Sequence, residues 1–104
     1  MVKFSFVCVY GYINMRHGVE NVLGELYRYL AIETRDCLEL SQDEIAELLY
    51  MSTSSYSDIE TGITNCVGTL TATRLLSLQE DPSVFLKNAE KAISKYIEKE
   101  LQPV

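Results

Sequence analysis

The segment Leu40-Ser41-Gln42-Asp43-Glu44-Ile45-Ala46-Glu47-Leu48-Leu49-Tyr50-Met51-Ser52-Thr53-Ser54-Ser55-Tyr56-Ser57-Asp58-Ile59-Glu60-Thr61-Gly62 contains two helix starts and a helix stop. Ser41 is an N-cap, and Glu44, three residues on, completes a capping box. Asp43 and Glu44 also suit the positive end of a helix dipole. That helix is expected to reach about Leu49, burying Ile45, Leu48 and Leu49. Ala46 is small enough for another helix to approach closely. Tyr50-Met51 makes a short turn, and Ser52 caps a second helix from Thr53 to about Thr61. Tyr56 and Ile59 face inward, and Gly62 ends the helix in the left-handed conformation. Two short capped helices joined by a tight turn form a helix-turn-helix arrangement.

Upstream, Val22, Leu23, Leu26, Tyr27, Leu30, Ala31 and Leu38 recur at three- and four-residue steps, which predicts a helix over about 19–37. Downstream, residues 63–68 read as a loop and 69–79 as a helix with apolar Leu70, Leu75, Leu76 and Leu78. Asp81-Pro82 is a cap and first helical position. It opens a last helix over 82–101, with Phe85, Leu86, Ala89, Ala92, Ile93, Tyr96, Ile97 and Leu101 as its apolar stripe. At the start, Met1 to Ile13 is β-branched and aromatic and reads as a strand of about ten residues. A lone strand needs a partner, such as the same strand of a second subunit. The alternatives are that this stretch is unordered, or precedes a natural start at Met15. Asn14 to Gly18 reads as a connector. The expected fold is all-α: a five-helix bundle over residues 19–104 as a single domain, with residues 1–18 as an N-terminal strand and connector.

The chain has 104 residues, a net charge of −6 and a hydrophobic fraction of 47%. One domain is expected, and association would help so small a core. No apolar run reaches the roughly 18 residues a membrane span needs, so no membrane partner is expected. His17 is the single histidine, which excludes most histidine-based metal and acid–base sites. The cysteines, Cys8, Cys37 and Cys66, are odd in number and lack C-x-x-C spacing. They read as reduced, buried thiols in a cytoplasmic protein. No nucleophile–base pair, phosphate loop or metal spacing is present, so neither an enzyme nor a cofactor is expected. The hydroxyl cluster Ser52 to Ser57 reads as caps and a polar face.

The segment quoted first resembles, without gaps, the helix-turn-helix of the Cro/CI-type (XRE) regulators. Leu40, Ser41, Gln42, Glu44, Ala46, Leu49, Ser52, Ile59, Glu60 and Gly62 match its pattern in type and spacing. The resemblance covers about residues 26–86. It implies a lambda-repressor-like fold and a DNA-binding transcriptional regulator of prokaryotic or phage type, a repressor-like homodimer that lays the helix over 52–61 in the major groove of double-stranded DNA. Dimerisation would use the last helix, the N-terminal strand, or both. By the same resemblance, Arg35 and Glu60 form a partly buried ion pair. Gln42 touches a phosphate or braces the recognition helix. Thr53, Ser54 and Asp58 occupy base-reading positions, and Ser57 is grouped with them. Thr64 and Asn65 supply neutral donors to the backbone.

Two features depart from that pattern. Tyr50 stands where the family usually carries glycine, and a left-handed tyrosine costs about 1 kcal/mol or more. Charge is the larger departure. Residues 36–73 contain Asp36, Glu39, Asp43, Glu44, Glu47, Asp58 and Glu60 with no lysine or arginine. DNA affinity comes largely from neutralising phosphates. An acidic helix-turn-helix therefore also fits a second reading, a module that binds a protein partner: an antirepressor, an anti-CRISPR-type inhibitor or an antitoxin. Lys87, Lys91, Lys95 and Lys99 recur every four residues on the last helix. They read as a solvated face with i,i+3 and i,i+4 pairs, or as an edge that contacts a backbone or a partner.

Overall fold

The computed structural model describes residues 9–64 and 66–101, with side chains for 18–64 and 66–100. Five helices follow one another: α1 (Val9–Cys37), α2 (Gln42–Leu48), α3 (Thr53–Glu60), α4 (Thr69–Ser77) and α5 (Pro82–Leu101). No strand occurs among the described residues. No helix is long and apolar enough to cross a membrane.

α2, α3 and α5 each start where a polar side chain meets their free N–H groups, whereas α4 starts after Gly68 with no side-chain cap. Ser41 accepts from the Glu44 N–H at 3.1 Å, and the Glu44 carboxylate accepts from the Ser41 N–H at 2.9 Å. The second bond favours the ionised acid, and Glu44 sits below the usual carboxylate range because of the Ser41 backbone N–H first and its hydroxyl second. Ser52 accepts from the Ser55 N–H at 3.1 Å. Asp81 accepts from the Ser83 N–H at 3.1 Å, with Pro82 in the first turn where its missing N–H costs nothing.

Three helix ends share one device, a left-handed residue just past the last turn. After α1 it is Glu39 (φ 54°), after α2 Tyr50 (φ 57°) and after α3 Gly62 (φ 83°). The N–H groups of Leu40 and Met51 reach back to the carbonyls of Arg35 and Ala46, both at 3.0 Å, and close two Schellman-type caps. Glycine takes this conformation freely. Glu39 and Tyr50 carry about 1–2 kcal/mol of strain each.

The core lies where the second half of α1 meets α2, α3 and α4. Leu30, Ala31, Ile45, Ala46, Leu49, Tyr56, Ile59 and Leu75 form one buried cluster. Ala31 and Ala46 let the helices approach closely, and Ile45 and Tyr56 are fully enclosed. A buried side chain of the size of Ile45 or Leu49 contributes about 2 kcal/mol. α5 returns antiparallel along α1. Tyr27 meets Phe85 with ring centroids 4.9 Å apart, and Gly18, nearer the start of α1, faces Tyr96.

The structure corrects several expectations. The expected strand included Val9 to Ile13, which belong to α1; the rest of that stretch, residues 1–8, lies outside the described residues. The expected connector Asn14–Gly18 is helical too, so α1 begins ten positions before residue 19. Gly18 is tolerated inside the helix because α5 passes over it. A Cβ there would lie 1.7 Å from the Tyr96 hydroxyl oxygen. α4 stops at Ser77, two residues short of the expected end. Leu48 is 37% exposed rather than buried, because Leu49 and Ile45 already fill the inward face of α2, and Leu70 is 60% exposed at the start of α4. Cys37 and Cys66 are exposed, not buried, since one closes α1 and the other lies in the α3–α4 loop. Cys8 lies outside the described residues.

Candidate nucleic-acid interface

The organising group of the α2–α3 region is the Glu60 carboxylate, at the last position of α3. Arg35 grips it with two parallel bonds, Nε to Oε2 at 2.6 Å and Nη2 to Oε1 at 3.1 Å. Such a bidentate pair fixes both distance and orientation. Gln42 donates from Nε2 to Oε1 at 3.0 Å. The Tyr56 hydroxyl, one turn back on α3, donates to Oε2 and lies 3.2 Å from the Ala31 carbonyl. Burial pushes the Glu60 carboxyl up, but Arg35, Tyr56 and Gln42 more than offset this and hold it below the usual carboxylate range. The Tyr56 phenol moves the other way, driven up by burial first and by its bond to Glu60 second. Glu60 stays ionised and Tyr56 stays protonated, which is the pairing the hydrogen bond requires.

Arg28 adds a second hold on the same end. Its Nε donates to the Glu60 backbone carbonyl at 2.8 Å, satisfying a carbonyl that the end of α3 leaves open. The other end of α3 is tied to α2, where the Thr53 hydroxyl donates to the Asp43 carboxylate at 2.5 Å. α3 is thus fastened at both ends, by part-buried groups at Glu60 and by an exposed bond at Thr53.

The residues expected to contact DNA fall into two groups. Gln42 is half-buried and braces the end of α3 through Glu60. Thr53 is half-buried and bonded to Asp43. Ser54 is exposed, and Ser57 and Asp58 are half-exposed along α3. The Thr64 N–H donates to the Asp58 carbonyl at 3.0 Å, so the chain reverses just after Gly62 and this N–H is already used. Asn65 lies outside the described residues. The Arg35–Glu60 pair is present as expected.

Three contributors were not singled out in the sequence. Arg28 precedes Arg35 by two helical turns and so shares its face of α1, a spacing that marks it in hindsight. Tyr56 was expected inside for its ring, yet its hydroxyl matters as much, and the i,i+4 spacing to Glu60 is the available signal. Arg74 on α4 lies over the Tyr50 ring at 4.7 Å and donates to the Leu48 carbonyl at 3.3 Å. Arg74 thereby holds down the strained turn between α2 and α3, a cation–π contact of about 0.5–1 kcal/mol at so exposed a place.

The electrostatics are one-sided. Of the seven carboxylates in residues 36–73, Glu60 is neutralised by Arg35. Asp36, Glu39, Asp43, Glu44, Glu47 and Asp58 have no ion-pair partner among the described residues. On α5, Lys87, Lys91, Lys95 and Lys99 are exposed, and the expected pairs with Glu90, Glu98 and Glu100 are absent among the described residues. Compared with known proteins, the chain matches no family model, no curated protein and no solved structure.

Proposed function

We propose that this chain is a small DNA-binding transcriptional regulator of the Cro/CI type that acts as a homodimer, with α3 as the element that reads the major groove. The observation that carries this reading is the fastening of α3 at both ends, from its inner side at Glu60 and by an exposed bond to α2 at Thr53. A reading helix must be held rigidly by groups that do not themselves face the DNA. Here Arg35, Gln42, Tyr56 and Arg28 hold the α3 C-terminal end through Glu60, and Asp43 holds its start through Thr53. Ser54 and the half-exposed Ser57 and Asp58 are left to meet bases. Serine hydroxyls pair with several base edges, and a carboxylate accepts from cytosine.

The test is fluorescence anisotropy of the purified protein with DNA from upstream of its own gene and with a scrambled duplex. Saturable binding to the first alone supports the reading. A Ser54→Ala/Ser57→Ala/Asp58→Ala variant, which leaves the Thr53–Asp43 tie in place, should keep its fold and lose the sequence preference. Retained preference would assign base reading to another surface.

The unpaired carboxylates of the α2–α3 region favour a second reading, in which this face binds a basic protein partner in place of DNA. Absence of any DNA binding, together with capture of a partner that Asp43→Asn/Glu47→Gln no longer retains, would replace the first reading by the second.

A further inference from the structure

We propose that the cleft between the end of α1 and the α4–α5 corner binds a small organic cation, an ammonium group carried on a compact apolar body. This stands apart from the preceding reading and requires no DNA. The cleft holds about 510 Å³, within the size range of small-molecule sites. Its apolar surface comes from Leu38 just past α1 and from Leu78 and Val84 at the corner. Leu38 is 46% exposed and Val84 is 56% exposed, so the chain leaves much of each uncovered. Covering them with an apolar body of matching size is favourable. The cleft is also formed before any ligand arrives. Gln79, at the end of α4, donates from Nε2 to the Thr34 hydroxyl oxygen on α1 at 2.7 Å and ties its two walls together.

Charge identifies the ligand. Glu33 on α1 and Glu80 and Asp81 at the corner line the same cleft, and no lysine or arginine lines it. Glu33 and Glu80 have no ion-pair partner among the described residues. Arg35, next to Thr34 in the chain, is committed to Glu60. Asp81 accepts from the N–H and hydroxyl of Ser83 through one oxygen and keeps its charge. A neutral acceptor joins these carboxylates. The Gln79 amide nitrogen also donates to the Leu75 carbonyl at 3.1 Å. A carbonyl only accepts, so the amide nitrogen is fixed on that side and the Gln79 oxygen is left without a bond among the described residues. An ammonium has three donors and no acceptor, which suits a lining of carboxylates and an amide oxygen. An anion would meet repulsion there, and a neutral alcohol would gain no charge pairing. A lysine-rich protein segment carries the same charge, but it brings far more surface than three apolar side chains cover.

Titration of the full chain with phenethylamine, phenethyl alcohol and phenylacetate, followed through its assigned backbone amide resonances, tests this. The three probes share a benzene ring and differ in charge at neutral pH. The amine should give saturable shifts centred on residues 33–38 and 78–84, in the millimolar range expected of so small a ligand. The alcohol should bind about fivefold more weakly or worse, and the acid should not bind. Glu33→Gln/Glu80→Gln changes two exposed positions, and its amide spectrum will show it folded. It should weaken the amine about fivefold or more and leave the alcohol unchanged. The absence of saturable shifts with the amine overturns the proposal, as do shifts centred elsewhere. So does an alcohol that binds as tightly as the amine, or a double variant that binds the amine like wild type. Cleft shifts from trilysine but not from the amine would assign the cleft to a protein segment and overturn it too. DNA anisotropy reads the preceding proposal separately.

Discussion

α1 is held in two different ways along its length. Its second half is fastened to α3 by directional bonds: Arg28 and Arg35 converge on Glu60, and Tyr56 and Gln42 complete the shell. Its contact with α5 rests on shape. Tyr27 against Phe85 and Gly18 beneath Tyr96 are its landmarks, and Ala89 is the buried apolar residue that α5 contributes. The first junction tolerates little displacement, because a bidentate pair loses geometry and energy together. The second tolerates sliding, because dispersion contacts are many and individually weak. The difference teaches where the molecule fixes orientation and where it fixes only proximity.

The sharpest way to break the contrast is Glu60→Ala. It leaves Arg35, Gln42 and Tyr56 without their shared acceptor and should cost about 3 kcal/mol, because the surviving partners are partly buried. Glu47→Ala, an exposed control, should fall within about 0.5 kcal/mol of wild type. Urea unfolding of both variants checks this, and equal effects would deny Glu60 its role. The same carboxylate gives the fastened junction a pH signature. Its folded-state pKa lies below the unfolded value of 4.5, so its stabilisation is complete above that pH. It is lost as pH falls through the lower folded value. The gap between wild type and Glu60→Gln should therefore be widest at neutral pH and close in acid.

Phe85→Ala probes the other junction and should cost about 2 kcal/mol, less than a fully enclosed ring, since Phe85 is half-buried. Hydrogen exchange should then rise along α5 and leave α2 and α3 protected. A uniform rise would mean that the two junctions behave as one unit. The smallest expected effect belongs to Tyr50→Gly. It relieves the left-handed strain but gives up the Arg74 contact and adds freedom to the unfolded chain, for a net stabilisation of about 0.5 kcal/mol. Thermal melts decide it, and a loss of stability would rank the Arg74–Tyr50 contact above the strain.

Much of the fastened region was legible because its signals are local. The Ser41–Glu44 capping box, the Ser52 cap, the Asp81-Pro82 start and the left-handed Gly62 each concern residues within one turn of each other. Arg35 and Glu60 are 25 residues apart, and only the family resemblance put them together. Gly18 shows the limit of local reading. A glycine in a polar stretch looks like a connector, and only Tyr96, brought alongside by the fold, makes it a packing position. Val9 to Ile13 misled in a similar way, since β-branched residues state a preference that packing overrides. Leu48 and Leu49 are neighbours of identical type. The hundred-degree step between them decides which enters the core.

The arginines of the α1–α4 region have a consequence for counterions. Arg28 and Arg35 are paired with Glu25 and Glu60, and residues 36–73 hold no lysine or arginine, so α2 and α3 themselves offer no unpaired cation to displace the ions condensed on a DNA backbone. If α3 and its neighbours alone touch DNA, log K should be nearly flat against log salt. If the α5 lysines also reach phosphates, the slope should steepen by about 0.9 for each lysine engaged. The slope therefore counts the lysines that α5 lends to the interface.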